Sequence, residues 1–200
     1  MERITKAGIQ LLALGIVVAT VVLTQLKNQS TKTSNTDQPA SAINTVVRQD
    51  SITSLPVCDV KPGSIYDGDT IRVFCNGQEK KIRFACIDAP ERKQEGGIES
   101  RDFLRTLLQR GGMKVRVDAV DTDRYGRTVA ELWVDQGMGL ELVQSKQASA
   151  GMVWGYEAYK SDCKSWEAIA STQADAQAQK VGIWASANPQ PPWEWRKANK

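Results

Sequence analysis

The sequence predicts an α+β protein built on a small five-stranded β-barrel, with three α-helices inserted in it or appended to it. Five segments alternate apolar and polar residues, as strands with one buried face do. Three further segments are predicted as helices, and the first of them repeats its apolar residues at helical spacing. The chain is 200 residues long, which suits one domain of this kind with material left over.

The first segment outside the barrel is an uncharged run at residues 7–26, between Lys6 and Lys27. A helix of this length spans roughly 30 Å, the thickness of a bilayer core, and Arg3 and Lys6 precede it, a modest positive-inside signal. We interpret residues 1–26 as a signal anchor. A cleaved signal peptide is the alternative, but its apolar core is usually about 7–15 residues long and ends at a small-residue cleavage site. Both interpretations place the rest of the chain outside the cytoplasm, either anchored to the cytoplasmic membrane or secreted.

Residues 27–55 form the second segment outside the barrel. They are rich in Ser, Thr, Asn and Gln and poor in aromatic residues, which is the composition of a flexible linker. The predicted barrel domain covers residues 56–188, and its first three strands are predicted in VCDVKPGSI, TIRVFC and EKKIRFACI. The YDGD turn joins the first two strands, and Asn76-Gly77, a strong hairpin signal, joins the second to the third.

The rest of the domain mixes helices and strands. A helix is predicted in IESRDFLRTLLQRGG, where glycines mark its end. The fourth and fifth strands are predicted in MKVRVDAV and TVAELWV. Two more helices are predicted in GLELVQSKQASAG and SWEAIASTQADAQAQKVG, with Gly182 just past the end of the last one. The C-terminal tail, residues 189–200, is interrupted by prolines, so we expect no helix there.

Composition excludes several kinds of catalytic site. The chain contains no histidine, so a histidine-based zinc site, a Ser-His-Asp triad and a Cys-His pair are all excluded. A general base would have to be a carboxylate, a lysine or a tyrosine. The net charge is only +3, so binding to phosphates would depend on the local placement of basic residues rather than on a broad positive field.

Four cysteines lie in the part of the chain that we expect outside the cytoplasm, where disulfides can form. Cys58 and Cys75 lie on the two strands that flank the YDGD turn, and antiparallel pairing would bring them nearly opposite each other. The sequence is compatible with two alternatives for this pair, a Cys58–Cys75 disulfide or two buried thiols. We interpret Cys86 as a core residue of the third strand, whereas Cys163 has no predicted position.

The third strand ends in two acids on either side of a proline. Pro90 holds Ala89 in an extended conformation, which fixes the direction of the Ala89 carbonyl group. The carboxylates of Asp88 and Glu91 and an oriented carbonyl are hard oxygen ligands, the kind that calcium and magnesium prefer.

Three more charged residues lie at strand–turn boundaries. Taken alone, each has an ordinary explanation: Asp69 as a neighbour of the turn glycine, Arg83 in a half-buried ion pair, and Arg127 as a surface arginine of the DTDRYGR turn. Together, DGDT, R-x4-D-x2-E and D-R-Y-G-R occur in this order on the boundaries of a predicted barrel. This combination indicates one shared site.

These linked motifs resemble the staphylococcal nuclease (thermonuclease) family, and the resemblance runs from about Cys58 to Ala187. It includes the start of the IES helix, the AGMVWGY segment, the alanine-rich last helix and the GIW that follows it. The resemblance implies an OB-fold barrel with three helices. It also implies a calcium-dependent phosphodiesterase that cuts DNA and RNA and leaves 3′-phosphate and 5′-hydroxyl ends.

The family's catalytic residues can be carried over position by position. The resemblance places the calcium ligands at Asp69, Asp88 and the backbone carbonyl of Ala89. It places the phosphate-binding arginines at Arg83 and Arg127, and the glutamate that orients the attacking water at Glu91.

The resemblance also implies residues that contact the substrate. Thr70 matches the threonine of the first motif, and Tyr125 and Tyr156 match tyrosines that line the nucleotide pocket. Two positions depart from the family. Ala89 stands where the family has threonine, which keeps the carbonyl ligand and removes a hydroxyl contact, and the loop at residues 92–98 is shorter than in the founding member.

We therefore expect a monomeric, calcium-dependent nuclease that prefers single-stranded DNA or RNA and is held to the membrane through residues 7–26. The alternative is a catalytically inactive OB-fold module that binds nucleic acid without cutting it. Inactive domains of this kind typically lose metal or arginine positions, whereas this chain keeps all five charged ones.

Overall fold

The computed structural model of the protein describes residues 51–200. The predicted anchor and most of the predicted linker lie outside the described residues. Within residues 51–200, no helix is both long and apolar enough to cross a bilayer. The strands are β1 (Val57–Val60), β2 (Thr70–Cys75), β3 (Gln78–Phe84), β4 (Ile87–Asp88), β5 (Lys114–Thr122), β6 (Thr128–Asp135), β7 (Leu140–Leu142) and β8 (Trp154–Gly155). The helices after residue 56 are α1 (Gly97–Arg110), α2 (Val143–Ser149), α3 (Trp166–Gln179) and α4 (Pro192–Ala198), with 3₁₀ turns at Glu157–Asp162 and Gly182–Ala185.

Five of these strands close into a barrel. β1 pairs antiparallel with both β2 and β5, β2 pairs with β3, and β5 pairs with β6. A parallel pairing between β3 and β6 completes the circle, with Arg83 opposite Val129. The predicted α+β class and five-stranded barrel are therefore confirmed.

Alternation along the strands builds the core, as the sequence predicts. In β2, Ile71 and Val73 are fully buried, whereas Phe74 is 38% exposed. Leu104 and Leu108, one helical turn apart on α1, are also fully buried and belong to the same apolar cluster. The barrel and the helices thus share one continuous core.

The turn between β2 and β3 is the predicted two-residue hairpin. Asn76 has a φ of 51° and Gly77 a φ of 77°, and a type I′ turn requires a positive φ at both central residues. The hairpin sets the register in which Thr70 lies opposite Arg83 at the far end of the two strands.

The third predicted strand, residues 79–87, is two strands in the structure. Cys86 has a φ of 71°, a left-handed conformation that a continuous strand does not contain. After this break, β4 leaves the barrel sheet and pairs with β8, with Ile87 opposite Gly155. Asp88 therefore lies on a separate two-stranded ribbon rather than in the barrel wall.

Three other local predictions differ from the structure. The predicted helix GLELVQSKQASAG begins as the strand β7 and becomes helical only at Val143. α3 ends at Gln179, and its left-handed cap is Lys180, which has a φ of 52°. Gly182, which is predicted just past the end of this helix, starts a 3₁₀ turn instead. The prediction that the tail forms no helix is wrong, because Pro191 caps α4 and Pro192 occupies its first turn, where proline breaks no helical hydrogen bond.

Two disulfides connect all four cysteines. Cys58 and Cys75 are bonded, with their Cα atoms 4.6 Å apart, so the disulfide rather than the pair of free thiols is confirmed. Cys86 is buried, as predicted, but it is bonded to Cys163 rather than present as a thiol. This second bond ties the break between β3 and β4 to the chain just after the first 3₁₀ turn.

Candidate active site

The strand ends converge on one open cavity of about 740 Å³. Asp69 immediately precedes β2, Asp88 ends β4 and Arg127 immediately precedes β6. The cavity is lined by all nine residues that the sequence indicated, namely Asp69, Thr70, Arg83, Asp88, Ala89, Glu91, Tyr125, Arg127 and Tyr156. The structure therefore brings together residues that the sequence spreads over nearly ninety positions.

Arg83 joins the two buried aspartates of the cavity. Its Nη1 atom lies 2.8 Å from Asp69 Oδ2, and its Nη2 atom lies 2.9 Å from Asp88 Oδ1. The side chains of Asp69 and Asp88 are only 9% and 2% exposed. Buried charges are tolerated when they are paired and hydrogen-bonded, so this guanidinium offsets part of the negative charge of the two carboxylates and fixes their positions.

The backbone holds the first motif directly against the segment after β4. The Ala89 N–H donates to Asp69 Oδ2 at 2.7 Å, and the Thr70 hydroxyl donates to Asp69 Oδ1 at 3.2 Å. Gly68 is needed for this approach, because a Cβ atom there would collide with the side chain of Ser100 and press on that of Ala89. The glycine of DGDT therefore serves packing as well as the turn.

Burial raises the pKa of the Asp69 carboxyl from 3.8 to about 7. The Arg83 guanidinium lowers this pKa, whereas the nearby carboxylates of Asp67 and Asp88 raise it further. A strongly perturbed carboxyl group in a cleft is typical of functional sites. A cation bound beside Asp69 would favour its ionised form.

Asp123 holds the side chain of Arg127 in the turn between β5 and β6. Arg127 Nε donates to Asp123 Oδ2 at 2.6 Å, and Asp123 Oδ1 accepts the backbone N–H groups of Arg127 and Tyr125. Burial acts to raise the pKa of Asp123, but these hydrogen bonds outweigh it and lower the pKa. The Nη1 and Nη2 atoms of Arg127 make no hydrogen bond within the described part of the chain, so the open end of the guanidinium is available to a phosphate.

The two candidate nucleotide-pocket tyrosines differ in their surroundings. Tyr125 is 70% exposed, and its ring centroid lies 5.6 Å from the guanidinium carbon of Arg127. Tyr156 is stacked on Trp193 of α4, with 5.2 Å between ring centroids and 8° between planes. Trp193 also contacts Trp154 edge-on. The C-terminal helix therefore covers one face of Tyr156.

The same helix brings a further arginine into the cavity. Arg196 Nη2 donates to Asp88 Oδ2 at 2.6 Å, while its Nη1 donates to Asp88 Oδ1 at 3.2 Å and to Glu91 Oε1 at 2.9 Å. Hydrogen bonding to Asp88, and then to Glu91, raises the pKa of Arg196 above its usual range. Asp88 is thus held between two guanidinium groups, and Glu91 is held by one.

The donor set fits a hard cation in its chemistry. Asp69 Oδ1 accepts only the Thr70 hydroxyl, and Asp88 Oδ2 only Arg196, among the described residues, so each oxygen keeps a lone pair for a metal. Three ionised carboxylates and two guanidinium groups sum to a charge of −1 (−3 from Asp69, Asp88 and Glu91, +2 from the arginines). In residues 51–200, no three acidic, cysteine or histidine side chains are arranged to hold a metal ion. A bound cation would therefore also need backbone carbonyl, water or substrate oxygens.

Sequence reasoning missed Arg196 and Trp193 because it treated the tail as irregular. A usable signal was present, since two prolines directly before W-E-W-R-K-A are typical of a helix start. It also missed the disulfide between Cys86 and Cys163, for which 77 residues of separation leave no local signal.

Comparison with known proteins agrees with this geometry. The family model described as "Staphylococcal nuclease homologue" matches residues 81–186. An uncharacterized endonuclease of Escherichia coli O157:H7 is 38% identical over 132 residues, which cover 66% of this chain and 80% of that protein. Micrococcal nuclease of Shigella flexneri is 36% identical over 143 residues, covering 68% of this chain and 79% of that protein. A staphylococcal-like nuclease of Arabidopsis thaliana is 36% identical over 117 residues, covering 58% of this chain and 33% of the relative.

The matched region holds most of the cavity's charged residues. It contains Arg83, Asp88, Glu91 and Arg127, and it begins within β3, so that Asp69 lies just before it. It matches more than half of the chain, and the first relatives are covered over about four fifths of their length. The closed barrel, the shared cavity and these matches lead to one conclusion: the chain belongs to the staphylococcal nuclease homologue family.

Proposed function

We propose that this protein is a calcium-dependent nuclease that hydrolyses the phosphodiester bonds of DNA and RNA and leaves 3′-phosphate and 5′-hydroxyl ends. Family membership and the nuclease names of its relatives support the reaction class. The observation that carries the proposal is the cluster of Arg83, Asp69 and Asp88, which shares one cavity with the open end of the Arg127 guanidinium.

Calcium would be held by the carboxylates of Asp69 and Asp88 and the backbone carbonyl of Ala89. Bound there, it would neutralise phosphate charge and make an attacking water more acidic. Asp69 and Asp88 are suited to this role because Arg83 and the Ala89 N–H already fix their orientation. Little rearrangement of these side chains is therefore needed on binding.

The arginines would bind the reacting phosphate. A planar guanidinium can donate to two phosphate oxygens at once, and Nη1 and Nη2 of Arg127 are the pair without a described partner. Nε of Arg127 is held by Asp123 at 2.6 Å, so the group is already oriented when the substrate arrives. Charge that accumulates on the phosphate oxygens during attack would meet these fixed cations.

Glu91 would accept the proton of the attacking water. The chain has no histidine, and the Glu91 carboxylate is 39% exposed in the cavity, so water can reach it. Attack at phosphorus would form the new P–O bond and break the bond to the 5′ oxygen, which would leave with a proton from solvent. General-base assistance of this kind typically contributes about 10²–10⁴-fold to the rate.

Aromatic residues support a preference for single strands. Tyr125 is largely exposed at the edge of the cavity, and unpaired bases stack on such rings regardless of sequence. Thr70 and Tyr156 line the same cavity and would contact the nucleotide beside it. We propose that the protein acts as a monomer on DNA or RNA.

We further propose that the protein works outside the cytoplasm, tethered through residues 7–26 or released by cleavage. The two disulfides support an oxidising compartment, because such bonds are rare in the reducing cytosol.

The decisive experiment uses the full chain in detergent with labelled single-stranded DNA, double-stranded DNA and RNA, in buffers with calcium, with magnesium or with a chelator. We expect cleavage in calcium and none with the chelator. Products should accept a 5′ phosphate from polynucleotide kinase without prior phosphatase treatment, because their 5′ ends carry hydroxyl groups. Cleavage that persists in chelator would exclude the calcium-dependent mechanism.

An inactive nucleic-acid-binding module is the second candidate. One observation favours it: Arg83 and Arg196 already donate to the acidic oxygens that a cation would need. If the wild-type protein binds single strands but cuts none in millimolar calcium at alkaline pH, this alternative is correct.

A further inference from the structure

We propose that Arg196 is a positioning residue for the reaction, and that the C-terminal helix α4 completes the active site by fixing Glu91 beside Asp88. This inference rests on the proposed nuclease function and goes beyond it, because it assigns a role to residues outside the matched family region, 81–186.

Glu91 needs an external restraint. It follows Pro90 at the start of the turns between β4 and α1, and 39% of its side chain is exposed. The carboxylate makes one hydrogen bond among the described residues, from Arg196 Nη1 to Oε1 at 2.9 Å. A glutamate freed from this bond would sample several rotamers, which lowers the fraction in any one reactive position.

Arg196 is suited to restrain it because the same guanidinium is fixed on a buried group. Its Nη1 and Nη2 atoms both donate to Asp88, whose side chain is only 2% exposed. Paired donation from a planar group sets direction as well as distance. Through Arg196, the position of the Glu91 carboxylate is fixed relative to the buried Asp88 side chain, rather than relative to a loop.

Further contacts anchor α4 on the domain. Gln94 Nε2 donates to the carbonyl of Gln190 at 2.6 Å, just before the helix, and Gln94 also accepts the Glu91 backbone N–H at 3.1 Å. Trp193 stacks on Tyr156 and contacts Trp154 edge-on. The arginine is therefore delivered by an element with several contacts, and one of them, through Gln94, leads back to the Glu91 segment.

The opposite role, a tail that blocks the site, fits the contacts less well. Arg196 bonds only Oε1 of Glu91 and leaves Oε2 without a described partner, so one oxygen remains open to accept a proton. Asp88 Oδ2 likewise keeps a lone pair. The contact orients both carboxylates and leaves each of them able to accept a further bond.

The test compares Arg196→Gln, Arg196→Lys and Lys197→Gln in the full chain. Lys197 lies on the same helix, is exposed, and controls for loss of a positive charge. On single-stranded DNA at saturating calcium, R196Q should lower kcat about ten- to hundredfold, with KM within about threefold of wild type. R196K should recover part of kcat, because an ammonium group can hold one carboxylate but cannot bridge two, and K197Q should match wild type.

A double-mutant cycle with Glu91→Gln separates positioning from general support of the fold. If Arg196 acts through Glu91, adding R196Q to E91Q should cause little further loss of kcat. Losses that multiply, or a kcat of R196Q equal to that of wild type, would overturn the inference. A higher kcat in R196Q at saturating calcium would instead show a blocking tail. If R196Q does not fold, R196K, which keeps the positive charge, replaces it in the kcat measurements and in the cycle with E91Q.

These outcomes are distinct from failure of the proposed function. A wild-type protein that cuts no nucleic acid with any divalent cation ends both proposals. An active wild type, an impaired E91Q and an unimpaired R196Q would end only this one.

Discussion

Replacing Asp69 with asparagine should stabilise the folded protein at alkaline pH while removing its nuclease activity. Asparagine keeps the size of the side chain and an oxygen that can accept the Ala89 N–H, now donated to Asp69 Oδ2. It has no charge, so it resembles the protonated carboxyl group that burial favours. The same loss of charge would remove a proposed calcium ligand.

The magnitude follows from the pKa of Asp69. Burial, opposed by Arg83, raises this pKa from 3.8 to about 7. The unfolded chain releases the proton near the ordinary value, while the folded chain keeps it until near pH 7, so the folded chain binds more protons in between. The stability that depends on Asp69 is therefore present at acidic pH and is lost as the pH rises from about 4 to 7. The difference between these two pKa values corresponds to about 4 kcal/mol, at about 1.36 kcal/mol for each pKa unit.

Asparagine does not titrate, so the effect should appear as a pH-dependent difference between the two proteins. We compare the unfolding free energy of D69N minus that of wild type at two pH values. This difference should be about 2–4 kcal/mol more positive at pH 8 than at pH 4.5. The lower end allows for coupling of Asp69 to Asp67, Asp88 and Arg83, which share the cost of ionisation. Costs of the substitution that do not depend on pH cancel in this comparison.

Urea unfolding followed by tryptophan fluorescence, in buffers that contain a chelator, measures this difference. Asp59→Asn is a matched control, because the Asp59 side chain is 66% exposed and pairs only at the surface with Lys114, at 2.6 Å. That variant should differ from wild type by the same small amount at both pH values. A D69N protein whose stability relative to wild type is equal at both pH values would refute the reasoning, since Asp69 would then titrate alike in both states.

Three further predictions concern the chemistry and the scaffold. Glu91→Gln should lower kcat about 10²–10⁴-fold while oligonucleotide binding persists; normal turnover in a steady-state assay would exclude Glu91 as the base. Arg127→Lys should lower kcat at least about tenfold with little change in affinity, because an ammonium group cannot bridge two phosphate oxygens; an unchanged kcat would leave Arg127 as a turn residue held by Asp123. Replacing Cys58 and Cys75 with alanine should lower the free energy of unfolding by about 3 kcal/mol, since their bond closes a loop of 17 residues; equal urea midpoints for the two oxidised proteins would contradict this.

The barrel could be predicted because its signals are local. Ile71 and Val73 alternate with surface residues within a single strand, and Asn76-Gly77 adopts the positive φ angles that its turn requires. Such patterns depend on neighbours in sequence, so a window of a few residues contains the information. The shared site was indicated by three linked motifs at the ends of these strands, and the roles of its residues came from the resemblance to the nuclease family.

The break at Cys86 could not be predicted, because its cause lies elsewhere in the chain. Residues 79–87 have the composition of one strand, and nothing near Cys86 favours a left-handed conformation. The disulfide to Cys163 and the pairing of Ile87 with Gly155 both come from segments about seventy residues away. Tertiary contacts therefore override the local preference here.

The helix α4 was misjudged for a different reason. Prolines were taken as evidence against a helix, although Pro191 and Pro192 lie at its start, where they break no hydrogen bond. The contact between Arg196 and Asp88 could not be predicted even with the helix assigned, because 108 residues separate them in the sequence. The residues around a charged side chain in a tail do not indicate which distant group it will contact.

The site therefore has two parts with different origins. Asp69, Arg83 and Asp88 are held by the barrel, the ribbon and one another, so their arrangement does not require the tail. Glu91 has no comparable support from the barrel, and its carboxylate is held by Arg196. The groups proposed for binding the cation and the phosphate thus belong to the locally encoded part, whereas the proposed base depends on a remote helix. Arg196 links Glu91 to Asp88, but Asp69, Arg83 and Asp88 also hold one another. We therefore expect loss of the Arg196 contact to lower turnover more than binding.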